Sequence, residues 1–315
     1  MRSRITEKIE GGIVGLLVGD ALGVPYEFHK PDQIPPLAEI EFDPPEGFRR
    51  SHSGVLPGTW SDDGAHALIL LASLLYCGKL DLDDLGRRLV NWYDNGYKAV
   101  DAHVFDVGVQ TSHAIIRVQH GVPAREAGSR DEHANGNGSL MRVLPLALWH
   151  KGTIEQLVAD AQEQSVITHG HVRSQVCCAL YCLWARYTME ELSDPWREAV
   201  ASLRNVYGEN APEREALEWS IRPDDPPEGT GSGYVVDCLR SARWAMQADS
   251  YEQVVKAAIS LGNDTDTTAC VAGGIAGLRD GINAIPERWR TRLRGEELYQ
   301  DELQQLISWR CGPSW

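Results

Sequence analysis

Two short segments of the sequence combine hydroxyl and carboxylate side chains in a way that is typical of binding sites for hard cations. One is the stretch GTWSDDG at residues 58–64, and the other is GNDTDTT at residues 262–268. Their six oxygen-bearing candidates are Ser61, Asp62, Asp63, Asp264, Asp266 and Thr267. Each segment directly precedes a long apolar run. A simple helix cap is therefore the alternative interpretation, although capping explains one acid more readily than two.

The four aspartates of these segments are expected to face one another. Residues 64–78 and 267–278 are apolar on nearly every side, which predicts two helices in the middle of the protein. Carboxylates that meet at the starts of such helices raise one another's pKa, and protonation or a bound cation relieves the repulsion. Oxygen donors with no neighbouring Cys or His favour Mg²⁺ or Mn²⁺ over zinc. Two such ions offer about 12 coordination positions, so water and substrate must fill several, as in a catalytic site.

Two glycine-rich stretches are further candidates. Gly11, Gly15, Gly19 and Gly23 lie four residues apart on one helix face, which lets another helix or a ligand approach the backbone closely. Glu27 follows the constrained Gly-Val-Pro turn at the end of that helix, which makes it harder to explain as an ordinary solvated acid. The stretch NGNGSLMR at residues 135–142 is predicted to run from a loop into a helix, where N–H groups could hold a pyrophosphate. A simple turn is the alternative for this loop.

The elements that must position these residues are helices. Apolar residues recur at spacings of three and four with almost no sustained alternation, which predicts an all-α fold, a compact helical bundle. Three long Pro-, Gly- and Asp-rich stretches, residues 30–60, 121–138 and 208–231, are expected to be non-helical, and long loops often carry function. No change in composition divides the chain, so residues 1–315 are expected to form a single domain. The predicted helices cover residues 5–23, 62–78, 83–95, 106–119, 139–150, 153–164, 170–189, 195–207, 232–247, 251–261, 265–280 and 296–310.

Charge and composition exclude several classes of partner. The 30 basic and 45 acidic residues give a net charge of −15, which disfavours binding to nucleic acid. The longest uncharged run, residues 64–78, is shorter than the roughly 20 residues of a membrane span, so no membrane segment is expected. Seven cysteines without a CxxC pair predict reduced thiols and a cytoplasmic protein. We expect a monomer, although nothing in the sequence bears on oligomeric state.

Taken together, seven stretches resemble the ADP-ribosylglycohydrolase family, in family order and across most of the chain. The family also includes the dinitrogenase-reductase-activating glycohydrolases. The resemblance implies an all-α fold with two divalent cations at its centre. It also implies hydrolysis of the bond between ADP-ribose and an acceptor. The matching stretches are Gly15 to Glu27, Gly58 to Asp63, Phe105 to Thr111, Gly136 to Pro145, Thr168 and His169, Ser232 to Val236, and Gly262 to Trp289.

The resemblance also implies roles for particular residues. The six hydroxyl and carboxylate residues of the two acidic segments would be metal ligands, and Asp63 and Glu27 would be the catalytic carboxyl groups. Ser61 stands where the family often has Thr, and Gly64 where a hydroxyl residue is frequent. The residues implied to contact the substrate are Gly136, Gly138 and Ser139 at the diphosphate, His169 and Tyr234 at the adenine, and Asp106 at the acceptor. Arg142 is either a charge partner of the diphosphate or part of a structural ion pair.

A carboxylate at Asp106 suits the planar guanidinium group, so ADP-ribosylated arginine is the preferred substrate. The expected partner is an ADP-ribosylated protein or a small ADP-ribosyl compound. Serine-linked ADP-ribose and O-acetyl-ADP-ribose are the alternatives within the family. An inactive ADP-ribose-binding or structural relative is an alternative of another class, disfavoured because all four aspartates and both hydroxyls are present. A metal phosphohydrolase ranks lower, since no lysine or histidine set accompanies the acids.

Overall fold

The computed structural model describes residues 4–312, and this part of the chain is built from helices without a β-strand. About 63% of it is helical, which confirms the predicted all-α class. Two isolated β-bridges join Ser129 to His169 and Gly136 to Tyr234. The fifteen α-helices are α1 (Arg4–Gly23), α2 (Asp62–Cys77), α3 (Leu82–Asn95), α4 (Val109–Gln119), α5 (Ala124–Ala127), α6 (Leu144–Trp149), α7 (Ile154–Val166), α8 (Val172–Met189), α9 (Pro195–Val206), α10 (Pro212–Glu215), α11 (Val235–Ala245), α12 (Tyr251–Ser260), α13 (Thr265–Asp280), α14 (Glu287–Arg290) and α15 (Gln300–Cys311).

Most predicted helix boundaries agree with these within three residues, but α6 and α15 begin more than three residues later than predicted. Residues 139–143 form turns, and α6 begins at Leu144 because Pro145 lacks the N–H that would continue a helix from the preceding turn. Residues Glu296–Leu298 form a separate 3₁₀ turn before α15. The long stretches predicted to be non-helical also contain the short helices α5 and α10, and a π-helical segment at Ala216–Ile221 follows α10. Four-residue helices are too short to show a periodic pattern.

The glycine face of α1 serves a helix crossing. A Cβ atom placed on Gly19 would lie 2.2 Å from Ala269 O, and one placed on Gly277 would lie 1.9 Å from Gly11 O. The backbones of α1 and α13 therefore touch, and only glycine fits at these positions. The crossing also brings Gly23, at the end of α1, against the backbone of Asp266 at the start of α13.

Both helices that follow the acidic segments lie in the interior, as their apolar sequences predict. The side chains from Asp62 to Leu74 in α2 and from Thr265 to Leu278 in α13 are buried. One cluster of buried apolar residues runs from Ile9 to Leu306. The segment Arg4–Tyr26 is long and apolar enough to cross a membrane, but its whole apolar window is buried inside this core. All seven cysteines are free thiols.

Candidate functional site

The N-terminal ends of α2 and α13 meet at the floor of a cavity of about 350 Å³. Thr267 Oγ1 lies 3.3 Å from Asp63 Oδ1, so the two distant segments are in direct contact. Asp62, Asp63 and Asp266 are buried, and Asp264 is half-buried. The cavity is lined by residues from both acidic segments, from the predicted substrate contacts and from the start of α4: Glu27, Asp62, Asp63, Asp106, Val107, Gly108, Val109, Gln110, Thr111, Gly136, Asn137, Gly138, Met141, His169, Gly233, Asp264 and Thr267.

The carboxylates at this floor fit a hard cation. Asp63 Oδ2 and Asp266 Oδ2 are buried and have no hydrogen-bond partner among the described residues. Carboxylate oxygens of Asp20, Asp63 and Asp266 lie within 4.8 Å of one another, and so do those of Glu27, Asp264 and Asp266. Burial and mutual repulsion raise the pKa of Asp63 and Asp266 well above the usual range. Burying an unpaired charge raises the free energy of the folded protein. A cation coordinated by the free carboxylate oxygens would neutralise that charge.

Asp20 belongs to this cluster, although sequence reasoning did not select it. Its carboxylate accepts hydrogen bonds from the backbone N–H of Ser61 at 2.9 Å and of Gly64 at 2.7 Å, so it fixes the first turn of α2. Burial raises its pKa to about 7, against the lowering effect of these hydrogen bonds. The available signal was that Asp20 is the only charged residue between Gly11 and Tyr26.

We expect the stabilisation of the protein by Mn²⁺ to grow with pH. Because the pKa values of Asp20, Asp63 and Asp266 are higher in the fold than in the unfolded chain, the metal-free fold is most stable below about pH 4. It loses this stability as the pH rises through the raised pKa values, about 7 for Asp20. Cations require the deprotonated groups. If binding displaces one proton, the shift in melting temperature should be about 5 °C larger at pH 8 than at pH 6. Thermal unfolding with and without Mn²⁺ measures this. Equal shifts at both pH values would contradict it.

Glu27 lies beside the cluster and is held by a histidine. His52 Nε2 is 2.6 Å from Glu27 Oε2 and 3.9 Å from Asp106 Oδ1. Burial, with the charges of Asp106 and Asp264, raises the pKa of Glu27 to about 11. Burial also lowers the pKa of His52. His52 is therefore a residue beside the site that the sequence analysis did not select. The long loop that follows Glu27 folds back on it: the Ser51 N–H donates to Pro25 O at 2.9 Å, and the Ser51 hydroxyl donates to Glu27 O.

The backbone around the cavity is strained. Phe28, His52, Asp106 and Asn263 have φ angles of 64°, 48°, 56° and 61°, in the left-handed region that side chains other than glycine rarely adopt. Phe28 N–H donates to Asn263 O at 2.6 Å, which ties two of them together. Each such residue costs about 1–3 kcal/mol and persists where the surrounding structure imposes it, most often at functional sites. The left-handed Asp106 also explains why α4 begins only at Val109 and not at residue 106 as predicted.

The glycine loop at residues 136–139 approaches the cavity but does not enter a helix. Gly136 N–H donates to Gln110 Oε1 at 2.8 Å, and Asn137 N–H donates to Gly233 O at 3.1 Å. The N–H groups of Gly138 and Ser139 have no partner within residues 4–312. The Ser139 side chain is buried and accepts a hydrogen bond from Ser165 Oγ at 2.8 Å. Backbone N–H groups, rather than this hydroxyl, are what the loop offers to an anion.

Arg142 holds this loop from behind. It is fully buried and donates to Gly138 O at 3.3 Å and to Thr168 Oγ1 at 2.8 Å. Thr168 Oγ1 in turn lies 2.8 Å from His169 Nδ1. Because Arg142 is fully buried, it is not exposed to the cavity. No carboxylate in the described chain pairs with it, so it is not part of an ion pair either. Burial and the charge of Arg142 lower the pKa of His169 to about 3, which keeps the imidazole neutral.

The remaining predicted substrate contacts lie at different depths. His169 is buried and lines the cavity, and a Cβ atom on Gly138 would lie 2.9 Å from its Cε1 atom. Tyr234 is 39% exposed at the start of α11, next to the lining residue Gly233. Asn137, which sequence reasoning passed over, donates through Nδ2 to Asp264 Oδ2 at 2.8 Å. The loop and the acidic floor are therefore coupled.

We expect His52 to act through Glu27. Replacing His52 with glutamine removes the ring that fixes the Glu27 carboxyl, and kcat should fall about 10- to 100-fold with little change in KM. In a Glu27→Gln background the same substitution should lower kcat by less than about twofold, because the function that His52 shares with Glu27 is already lost. Steady-state kinetics of the four proteins measures the coupling. Full, independent losses from both substitutions would show that His52 does not position Glu27.

Three kinds of comparison with known proteins all find ADP-ribosylglycohydrolases or related proteins. A family model for ADP-ribosylglycohydrolases matches residues 1–312. The ADP-ribosylarginine hydrolase Tri1 of Serratia proteamaculans is 30% identical over 311 residues, which cover 97% of this chain and 80% of the relative. The ADP-ribosyl-[dinitrogen reductase] glycohydrolase of Rhodospirillum rubrum is 26% identical, covering 92% and 91%. A solved ADP-ribosylglycohydrolase-related protein complex matches with a TM-score of 0.75 and 28% identity over 99% of both chains.

Proposed function

The chain belongs to the ADP-ribosylglycohydrolase family, and we propose that it is a metal-dependent hydrolase that releases ADP-ribose from arginine side chains. The observation that carries the proposal is the buried carboxylate cluster beside the cavity, in which Asp63 and Asp266 each have an oxygen without a hydrogen-bond partner and Asp63 lines the cavity. The names of two relatives, both ADP-ribosylarginine hydrolases, support the choice of arginine.

We propose two divalent cations, Mg²⁺ or Mn²⁺. The two groups of mutually close carboxylates, which share Asp266, support this number. The residues that would hold the ions are Ser61, Asp62, Asp63, Asp264, Asp266 and Thr267, with Asp20 and Glu27 beside them. When bound, such cations supply polarisation of ribose hydroxyl groups and a fixed template for the sugar.

The remaining steps of the proposed reaction are assigned to side chains and backbone groups of the protein. Glu27, whose raised pKa keeps it protonated in the metal-free chain, would donate a proton to the leaving nitrogen, while Asp63 positions the attacking water. Asp106 lines the same cavity and would pair with the acceptor guanidinium. The Gly138 and Ser139 N–H groups would bind the diphosphate, and His169 with Tyr234 would flank the adenine. Local N–H groups and cations make the net charge of −15 compatible with an anionic substrate.

The test compares arginine-linked and serine-linked ADP-ribosyl peptides and O-acetyl-ADP-ribose side by side, first with EDTA and then with added Mg²⁺ or Mn²⁺. We expect release of ADP-ribose from the arginine peptide, lost with EDTA and restored by the cation. Activity on the serine peptide or on O-acetyl-ADP-ribose alone would contradict the choice of acceptor. Full activity in EDTA would contradict metal dependence.

A further inference from the structure

A second groove adjoins the catalytic cavity on the far side of His52. It has a volume of about 750 Å³ and is lined by Phe28, His29, Gln33 and residues 47–53. His52 stands between the two spaces, because it lines the groove while its Nε2 atom lies 2.6 Å from Oε2 of Glu27, which lines the cavity. None of the glycine-loop residues 136–139 lines the groove. The groove therefore lies next to the end of the site at Glu27, across the His52 side chain, and apart from the loop that offers N–H groups to the diphosphate.

The groove is cationic in a strongly acidic protein. Arg49 and Arg50 line it together with two imidazole rings, and no Asp or Glu side chain does, although the whole chain carries a net charge of −15. Glu46 precedes the lining segment along the chain but is not part of it. Two arginines in a lining without an acid create a local positive field that favours an anionic partner.

The two arginines of the groove form no ion pairs with the described residues, in contrast to Arg288 and Arg292. Arg49 is exposed and makes no ion pair within residues 4–312. Arg50 donates through Nη2 to Val55 O at 2.8 Å, while its buried Nε has no partner. By contrast, Arg288 and Arg292, which lie on a nearby face, pair with Glu41 and Asp43. The groove thus retains unneutralised guanidinium groups.

Aromatic rings give the groove a firm wall. The rings of Phe48 and His29 lie 4.7 Å apart, and Phe48 also packs on Tyr26 at 5.2 Å. Phe28 stands at the boundary with 70% of its surface exposed, and its ring lies 5.6 Å from that of His52. Rings and cations together are suited to an extended peptide that offers carboxylates and apolar contacts.

We propose that this groove docks the acceptor protein of the reaction, and that it selects acidic residues beside the modified side chain. The proposal rests on the proposed function, because it assumes that the acceptor is released beside Glu27 and Asp106. A protein acceptor must continue beyond the cavity, and the groove begins at His52, the residue that contacts Glu27. The diphosphate has its own candidate contacts at Gly138 and Ser139, which leaves the basic groove to the acceptor.

The experiment measures kinetics on three substrates: free ADP-ribosylarginine, an ADP-ribosylarginine peptide flanked by Asp and Glu, and the same peptide with Asn and Gln. The wild-type KM should be about tenfold lower for the acidic peptide, and this preference should weaken between low and high NaCl. Arg49→Glu should abolish the preference while changing the kinetics of free ADP-ribosylarginine by less than about twofold. Arg197→Glu makes the same charge change on an exposed residue in the first turn of α9 and should behave like wild type.

The docking proposal would be overturned by an unchanged acidic preference in Arg49→Glu, or by an equal loss of activity on all three substrates. Absence of any preference in the wild type would do the same. Failure of the proposed function is a separate outcome. If the wild type releases ADP-ribose only from serine, the choice of arginine is wrong, and acidic and neutral serine peptides then test the groove in the same way.

Discussion

Replacing Asp266 with asparagine is expected to lower metal-dependent release of ADP-ribose by about 1,000-fold or more, which corresponds to about 4 kcal/mol of lost transition-state stabilisation. Asp266 belongs to both groups of close carboxylates, and its Oδ2 atom has no partner. The Oδ1 atom accepts the Thr267 N–H at 2.9 Å, a contact that asparagine retains. The fold should therefore persist, and the metal-free variant should be at least as stable as wild type because one repelling charge is gone.

The matched control for this variant is Asp301→Asn. Asp301 also lies in the first turn of a helix, α15, but it is exposed and outside the cavity. It should retain wild-type turnover and wild-type Mn²⁺ binding. The measurements are initial rates at saturating Mn²⁺ and calorimetric titration of the metal. Near-normal turnover in Asp266→Asn, or lost turnover with unchanged metal binding, would contradict a role of Asp266 as a ligand.

Replacing Gly19 with alanine is expected to reduce the free energy of unfolding by about 3 kcal/mol or more. Alanine favours a helix by about 1 kcal/mol over glycine, so the sign of the effect comes from the contact between helices. The new Cβ atom would lie 2.2 Å from Ala269 O and 2.8 Å from Ala269 C, both backbone atoms that no side-chain rotation can move. Helices α1 and α13 must separate, which also moves Asp20 away from Asp266 and should weaken metal binding.

Urea unfolding measures this effect, with Gly208→Ala as the control. A Cβ atom on Gly208 would meet no heavy atom within 4 Å, and its backbone is not left-handed, so its stability should change by less than about 0.5 kcal/mol. Equal stabilities of Gly19→Ala and Gly208→Ala would show that the close crossing does not exist. A loss of stability without any change in metal affinity would uncouple the crossing from the site.

The parts of the fold that local pattern determines were predictable from the sequence. Glycines four residues apart mark a close crossing wherever another helix is available, and α13 carries the complementary Gly273 and Gly277. Long apolar runs directly after acidic segments placed α2 and α13 in the interior. When both helices lie in the centre of the protein, there is little room for their first turns to be far apart. The contact between Asp63 and Thr267 follows from that restriction.

The parts that depend on tertiary contact were not predictable. His52 reaches Glu27 only because the long loop folds back through Ser51, and nothing local in that loop encodes its path. A single acid in an apolar helix, such as Asp20, looks like an ordinary surface residue until the N–H groups of α2 are seen to point at it. Arg142 looks like a candidate for phosphate binding until its burial behind the glycine loop is known.

Anomalous diffraction from crystals soaked in Mn²⁺ tests the central claim most directly, because it locates each ion without assuming a mechanism. The acidic ends of α2 and α13 should hold the ions jointly. We therefore expect strong peaks in the cavity within about 2.5 Å of carboxylate oxygens from both Asp63 and Asp266. Peaks only at surface carboxylates, with none that joins the two helices, would contradict the account.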